Sequence, residues 1–141
     1  MRFWDASAVV PLLADEPASE PMREHIEEDA GVLVWWATPV ECASALARRL
    51  RERRLDRREA ARGEERLRHL ARDWTEVAPS EAVRIEARRL LRVHTLRAAD
   101  ALQLAAAIIA AEQEPASLDL VTLDDRLAEA AEREGFRVLG A

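Results

Sequence analysis

The chain has 141 residues, 49% of them hydrophobic and 34% charged, which suits one globular domain, residues 1–141, around a single core. Its one cysteine, Cys42, excludes an intrachain disulfide and argues against a secreted, stapled scaffold, so a cytoplasmic protein is expected. The net charge of −6 disfavours a uniformly basic nucleic-acid binder, yet the charge is polarised: residues 48–72 hold 11 Arg against 5 acids.

In chain order, strand-length apolar runs alternate with segments of helical period. "RFWDA" at 2–6 reads as a strand and is followed by helices over about 7–14 and 19–29. "VLVWW" at 32–36 reads as a second strand, with helices over about 39–53 and 56–72. After the strand "WTEVA" at 74–78 come helices over about 80–93 and 96–112. "LDLVT" at 118–122, a helix over about 123–134 and "FRVL" at 136–139 complete the pattern. The alternation predicts an α/β fold with a largely parallel sheet covered on both faces.

The N-terminus shows no signal peptide, because Asp5 interrupts its apolar run and no small-residue cleavage site follows. The longest nearly apolar stretch, "AADALQLAAAIIAA" at 98–111, contains Asp100 and Gln103 and is too short for a membrane span. Helix starts are marked by Thr38-Pro39-Val40-Glu41, with capping-box spacing, and by Thr122-x-x-Asp125. Gly135 stands where a C-terminal helix cap is expected.

In a parallel sheet the strand C-termini and the following helix N-termini share one edge, and ligands bind in the crevice outside it. Four acids fall there: Asp5 near the end of the first strand, Glu41 after the second, Asp100 in the first turns of the most apolar helix, and Asp124 just past "LDLVT". Four clustered carboxylates repel one another, and a divalent cation relieves that. Hard oxygen donors without His or Cys suit Mg²⁺ or Mn²⁺. Purely structural roles also fit two of them, since Glu41 could close a capping box and Asp124 could complement a helix dipole. Asp5 and Asp100, set among apolar residues, each require a specific partner.

Other constellations are weaker. His25, His69 and His94 lie in different helices without ligand spacing, and Cys42 reads as a small buried residue. Trp4, Trp35, Trp36 and Trp74 fall on predicted strands and read as core. The chain has no lysine and no glycine-rich phosphate loop, which excludes a Walker site.

"FWDASAVVPLLADEP", "PVECASALARR", "LRAADALQLAAA" and "LVTLDDRLAEAAEREGFRVL" resemble, in order and spacing, the motifs of PIN-domain ribonucleases, especially VapC-type toxins of bacterial toxin–antitoxin pairs. The resemblance spans nearly the whole chain. It implies a three-layer α/β/α domain with a central, mainly parallel five-stranded sheet and an acidic Mg²⁺ or Mn²⁺ site. By position, Asp5, Glu41, Asp100 and Asp124 correspond to the site acids, with Ser7 and Thr122 as neighbouring hydroxyls and Asp125 as an alternative to Asp124. It further implies hydrolysis of an RNA phosphodiester in a tRNA, rRNA or mRNA, a homodimer, and a cognate VapB-type antitoxin bound largely over the Arg-rich region. Without a partner, that region reads as a solvated helix pair.

The competing reading is a catalytically silent PIN-like module that binds an antitoxin or RNA. A phosphoacceptor receiver domain lacks its required lysine here, and a haloacid-dehalogenase-like phosphatase would need an aspartate where Ser7 stands.

Overall fold

The structure, a computed structural model, describes residues 1–140; Ala141, the last residue of the expected domain, lies outside the described residues. The chain runs β1 (Arg2–Trp4), α1 (Ala6–Leu13), α2 (Ser19–Glu28), β2 (Val32–Trp35), α3 (Thr38–Arg51) and α4 (Arg57–Asp73). It continues through β3 (Thr75–Val77), α5 (Glu81–Val93), α6 (Ala98–Ala110), a 3-10 turn at Pro115–Ser117, β4 (Leu120–Val121), α7 (Asp125–Arg133) and β5 (Val138–Leu139).

All five strands pair in parallel in the order β3-β2-β1-β4-β5. The first half of the chain builds the sheet outward from β1 to β3, and the second half returns to place β4 on the other side of β1. The β1/β4 junction is therefore the point where strand order reverses, and there a crevice opens at the C-terminal edge.

Alternation along the strands divides the core into two layers. Phe3, Leu33 and Leu120 face α5, α6 and α7, whereas Trp4, Val34 and Val121 face α1, α3 and α4. The result is the expected three-layer α/β/α sandwich with a parallel five-stranded sheet. Strands are shorter than their apolar runs because the flanking residues already belong to caps: Asp5, for instance, caps α1.

Two helix starts differ from the sequence expectation. At α3 the N-cap is Ala37, with no side-chain cap bond, and Thr38 lies one position inside the helix. Its hydroxyl is buried and accepts instead from Gln103 Nε2 at 3.1 Å. At α7 the cap is Asp124, whose Oδ1 accepts from Leu127 N at 2.8 Å, two residues later than Thr122. In both cases the threonine hydroxyl is engaged by a distant partner, which removes it from the local competition for the cap. Trp36 also departs from expectation, lying just beyond β2 with 54% exposure, while Trp4, Trp35 and Trp74 are buried. Gly135 closes α7 with φ +102°, as its position predicted.

Candidate active site

Asp5 is 4% exposed, at the β1–α1 junction. Its Oδ2 accepts from Ser7 N at 3.3 Å, from Ser7 Oγ at 2.5 Å and from Thr122 Oγ1 at 2.9 Å. Ser7 Oγ in turn accepts from Leu123 N at 2.9 Å, and Thr122 Oγ1 from Asp124 N at 3.1 Å. These bonds tie the end of β1 to the end of β4 and fix the carboxyl plane. They leave Oδ1 without a protein donor among the described residues. Burial pushes the Asp5 carboxyl above its ordinary range; the bonds from Ser7 and Thr122 oppose this, and Asp124 adds repulsion.

Glu41 lies in the first turn of α3, where Oε1 accepts from Gln103 Nε2 at 3.2 Å. Since Ala37 offers no capping side chain, the capping-box role for Glu41 is not realised. Gln103 is fully buried in α6 and directs one amide nitrogen at both Thr38 and Glu41, leaving its Oε1 unpaired. The opposite amide orientation would set Oε1 against a carboxylate, so the donor side must face Glu41. Burial raises the Glu41 carboxyl to about 7, with Gln103 opposing and the charges of Asp5 and Asp100 reinforcing.

Asp100 occupies the first turn of α6. Burial, then repulsion from Asp124 and Asp5, pushes it to about 6, while Arg97 and Arg126 pull it down. Asp124 combines two placements, as cap of α7 and as a wall of the same crevice. Asp125 is exposed on the outer side and does not line that crevice. Asp5, Ser7, Glu41, Asp100 and Asp124 line one cavity of about 530 Å³, with Arg48 and Arg49 at the α3 side. Thr122 lies behind Asp5, fully buried.

Among the described residues, no three acidic, His or Cys side chains are drawn together as a closed metal cluster. Burial first, and mutual repulsion second, raises the proton affinity of Asp5, Glu41 and Asp100. The donor chemistry nevertheless fits a hard divalent cation: oxygen donors only, a free Asp5 Oδ1, and three acids whose charged forms are disfavoured without a counter-ion. The histidines lie apart, in α2, α4 and at the end of α5, and Cys42 is buried with its thiol pushed up to about 12, chiefly by burial.

The family model of the PIN domain matches residues 2–133. The chain belongs to the PIN domain family. The solved structure of FitAcB from Neisseria gonorrhoeae is similar to this PIN domain in fold, with a TM-score of 0.66 at 20% identity over 99% of this chain and 96% of that one. No curated protein matches.

Sequence reasoning located the four acids of the PIN domain's crevice and missed Gln103, which braces Glu41 from α6. A signal was present: a lone amide within "ALQLAAAIIA", where a buried polar side chain needs a partner. No helix of the described residues is long and apolar enough to cross a membrane.

Proposed function

We propose that this PIN domain is a divalent-metal-dependent endoribonuclease, the VapC-like toxin of a toxin–antitoxin pair. The reading includes a single cytoplasmic domain spanning 1–141 that works as a homodimer against tRNA, rRNA or mRNA and is restrained by a VapB-type antitoxin. The observation that carries it is the convergence of Asp5, Glu41, Asp100 and Asp124 on one cavity at the strand-order reversal of a PIN fold. No residue of the expected acidic set is missing, which favours catalysis over a silent binding module.

Asp5, Glu41 and Asp100 would hold Mg²⁺ or Mn²⁺, with Asp124 helping to place it. Such an ion supplies Lewis acidity for activating water and for neutralising charge on the phosphate. Ser7 and Thr122 orient the Asp5 carboxylate by donating to Oδ2, so that Oδ1 faces the cavity. Gln103 does the corresponding work for Glu41. Because burial raises the proton affinity of Glu41 to about 7 and of Asp100 to about 6, cation uptake competes with protons below those values, and metal affinity should rise with pH up to about 7.

The test is cleavage of structured RNAs, tRNA included, by purified protein with Mg²⁺ or Mn²⁺, against EDTA and a folded Asp100→Asn variant. Metal-dependent cleavage leaving 5′-phosphate and 3′-hydroxyl ends is expected, with a loss beyond ~100-fold in Asp100→Asn, more than a residue that merely orients a ligand would cause. Equal behaviour of wild type and variant across a broad RNA panel would move the binding module to the front. A 2′,3′-cyclic phosphate product would reject hydrolysis by water.

A further inference from the structure

Two smaller hollows continue from the acidic cavity along the N-terminal end and outer side of α7. The first, of about 480 Å³, shares Asp100 and Asp124 with that cavity and adds Arg97, Asp125 and Arg126. The second, of about 240 Å³, shares Arg126 with the first and adds His94, Thr95, Glu129, Ala130 and Arg133, with Arg133 paired to Glu129. Linked by these shared residues, the two outer hollows form a trench beside the four acids.

Two of its cations stand directly beside the site acids. Arg97 is the residue before α6, three positions ahead of Asp100, and Arg126 is the second residue of α7, two positions after Asp124. Both are exposed. On α5 and α7, Arg84 pairs with Glu81, Arg89 with Glu86 and Glu134, and Arg133 with Glu129, whereas Arg88 and Arg92 of α5 have no such pair among the described residues. Arg97 and Arg126 have no carboxylate within 4 Å among the described residues, although their charge is felt at Asp100. They contribute no fold-holding ion pair and stand where a polyanion must cross repulsive carboxylates to reach the cavity.

We propose that Arg97 and Arg126 hold backbone phosphates next to the scissile one and lead a single RNA strand out of the acidic cavity past the N-terminal end of α7. The proposal rests on the ribonuclease reading of that cavity. Guanidinium suits the role because it grips phosphate bidentately and keeps its charge at any working pH. Arg97 and Arg126 are positioning residues, acting on substrate affinity rather than on the reacting water.

The experiment compares wild type with an Arg97→Ala/Arg126→Ala double variant, using Arg84→Ala as a surface-charge control. Cleavage kinetics on a single-stranded RNA should show KM raised about tenfold with kcat within about twofold, and Arg126→Lys should retain part of the affinity. Equilibrium binding of the same RNA in EDTA, titrated with salt, should lose about 1.4 from its log–log slope, from two phosphate contacts at roughly 0.7 each. Cleavage by wild type with unchanged KM and salt slope in the double variant overturns the trench and spares the nuclease. Absent cleavage with a slope still lost in the double variant overturns the nuclease and spares the trench as an RNA-binding track. Absent RNA binding by wild type overturns both.

Discussion

The two helical layers differ in how much of themselves they bury. In the layer of α5 to α7, α6 buries seven of its 13 residues, from Ala101 to Ile108, against α5 and the sheet. In the opposite layer, α4 buries only Gly63 and Leu67 of its 17 residues and turns an arginine-rich face outward. Alanine-rich α6 can approach its neighbours closely, so Asp100 and Gln103 are carried on a helix with little freedom to shift. By contrast, α4 is held by a capping box at Asp56 and Glu59 and by a narrow seam, leaving most of its side chains to solvent. A groove of about 720 Å³ between α2 and α4, with Leu12, Ile26 and Leu70 in its floor and arginines on its rim, exceeds the acidic cavity in volume but contains none of the four acids. The larger cavity lies on the looser layer, whereas the acids converge from both layers, Asp5 and Glu41 from the α1 and α3 side and Asp100 and Asp124 from the α6 and α7 side.

The largest test of this contrast is in the cores. Leu104 is fully buried in α6, and Leu104→Ala should cost about 2–5 kcal/mol in a urea titration. Leu70→Ala, on the half-buried seam of α4, should cost about 1 kcal/mol or less. Equal losses would erase the distinction between the layers.

The seam itself offers a smaller effect. A Cβ on Gly63 would stand 2.9 Å from Leu46 Cδ2 and 3.3 Å from the Leu13 carbonyl oxygen. Overpacking of that kind costs about 1–3 kcal/mol, against about 1 kcal/mol gained by replacing a helical glycine. Gly63→Ala should therefore destabilise by about 1 kcal/mol. A stabilised variant would mean that α4 can lift off α3 freely.

The smallest expected effect is electrostatic and belongs to the site. Between pH 4.5 and about 7 the folded protein holds protons on Glu41 that the unfolded chain has released, and Asp100 behaves alike from 3.8 to about 6. The native state binds more protons in that window, so the stability of metal-free protein should fall as pH rises through it. Glu134 and Asp29, whose carboxyls are lowered, act with the opposite sign below their ordinary values of 4.5 and 3.8, so the range above 4.5 belongs to the raised carboxyls. For Glu134, burial pushes upward but the bonds from Arg89 and His94 prevail; for Asp29 the N-terminal amine is the leading cause. Thermal melts across the window should slope downward for wild type and less steeply in Glu41→Gln, where Asp100 keeps its share below about 6. Added Mg²⁺ should restore stability at the upper end. A slope unaltered in Glu41→Gln would remove that carboxyl from the account.

Much of the molecule follows from local signals. Strand–helix alternation fixed the fold class, because apolar period distinguishes a buried strand from a one-sided helix without reference to distant residues. Position just after strand ends picked out Asp5, Glu41 and Asp124, and an acid in the first turns of the most apolar helix picked out Asp100. The glycine after α7 and the arginine-rich character of α4 were equally evident, each being a property of a few neighbouring residues.

Tertiary structure decided whatever depended on contacts across the chain. The strand order brought β4 beside β1, so Thr122 reaches Asp5 across 117 residues and Gln103 reaches Thr38 and Glu41 across 65 and 62. A threonine hydroxyl before a helix can cap it or bond elsewhere at similar cost, and only the arrival of a distant donor or acceptor settles which. That is why the caps of α3 and α7 fell on Ala37 and Asp124 rather than on Thr38 and Thr122, and why Glu41 was left to face the cavity. The sequence by itself determined which residues carry charge and which segments bury; the order of the strands decided which of those charges must share one crevice, because repulsion and hydrogen bonding depend on distance in space and not along the chain.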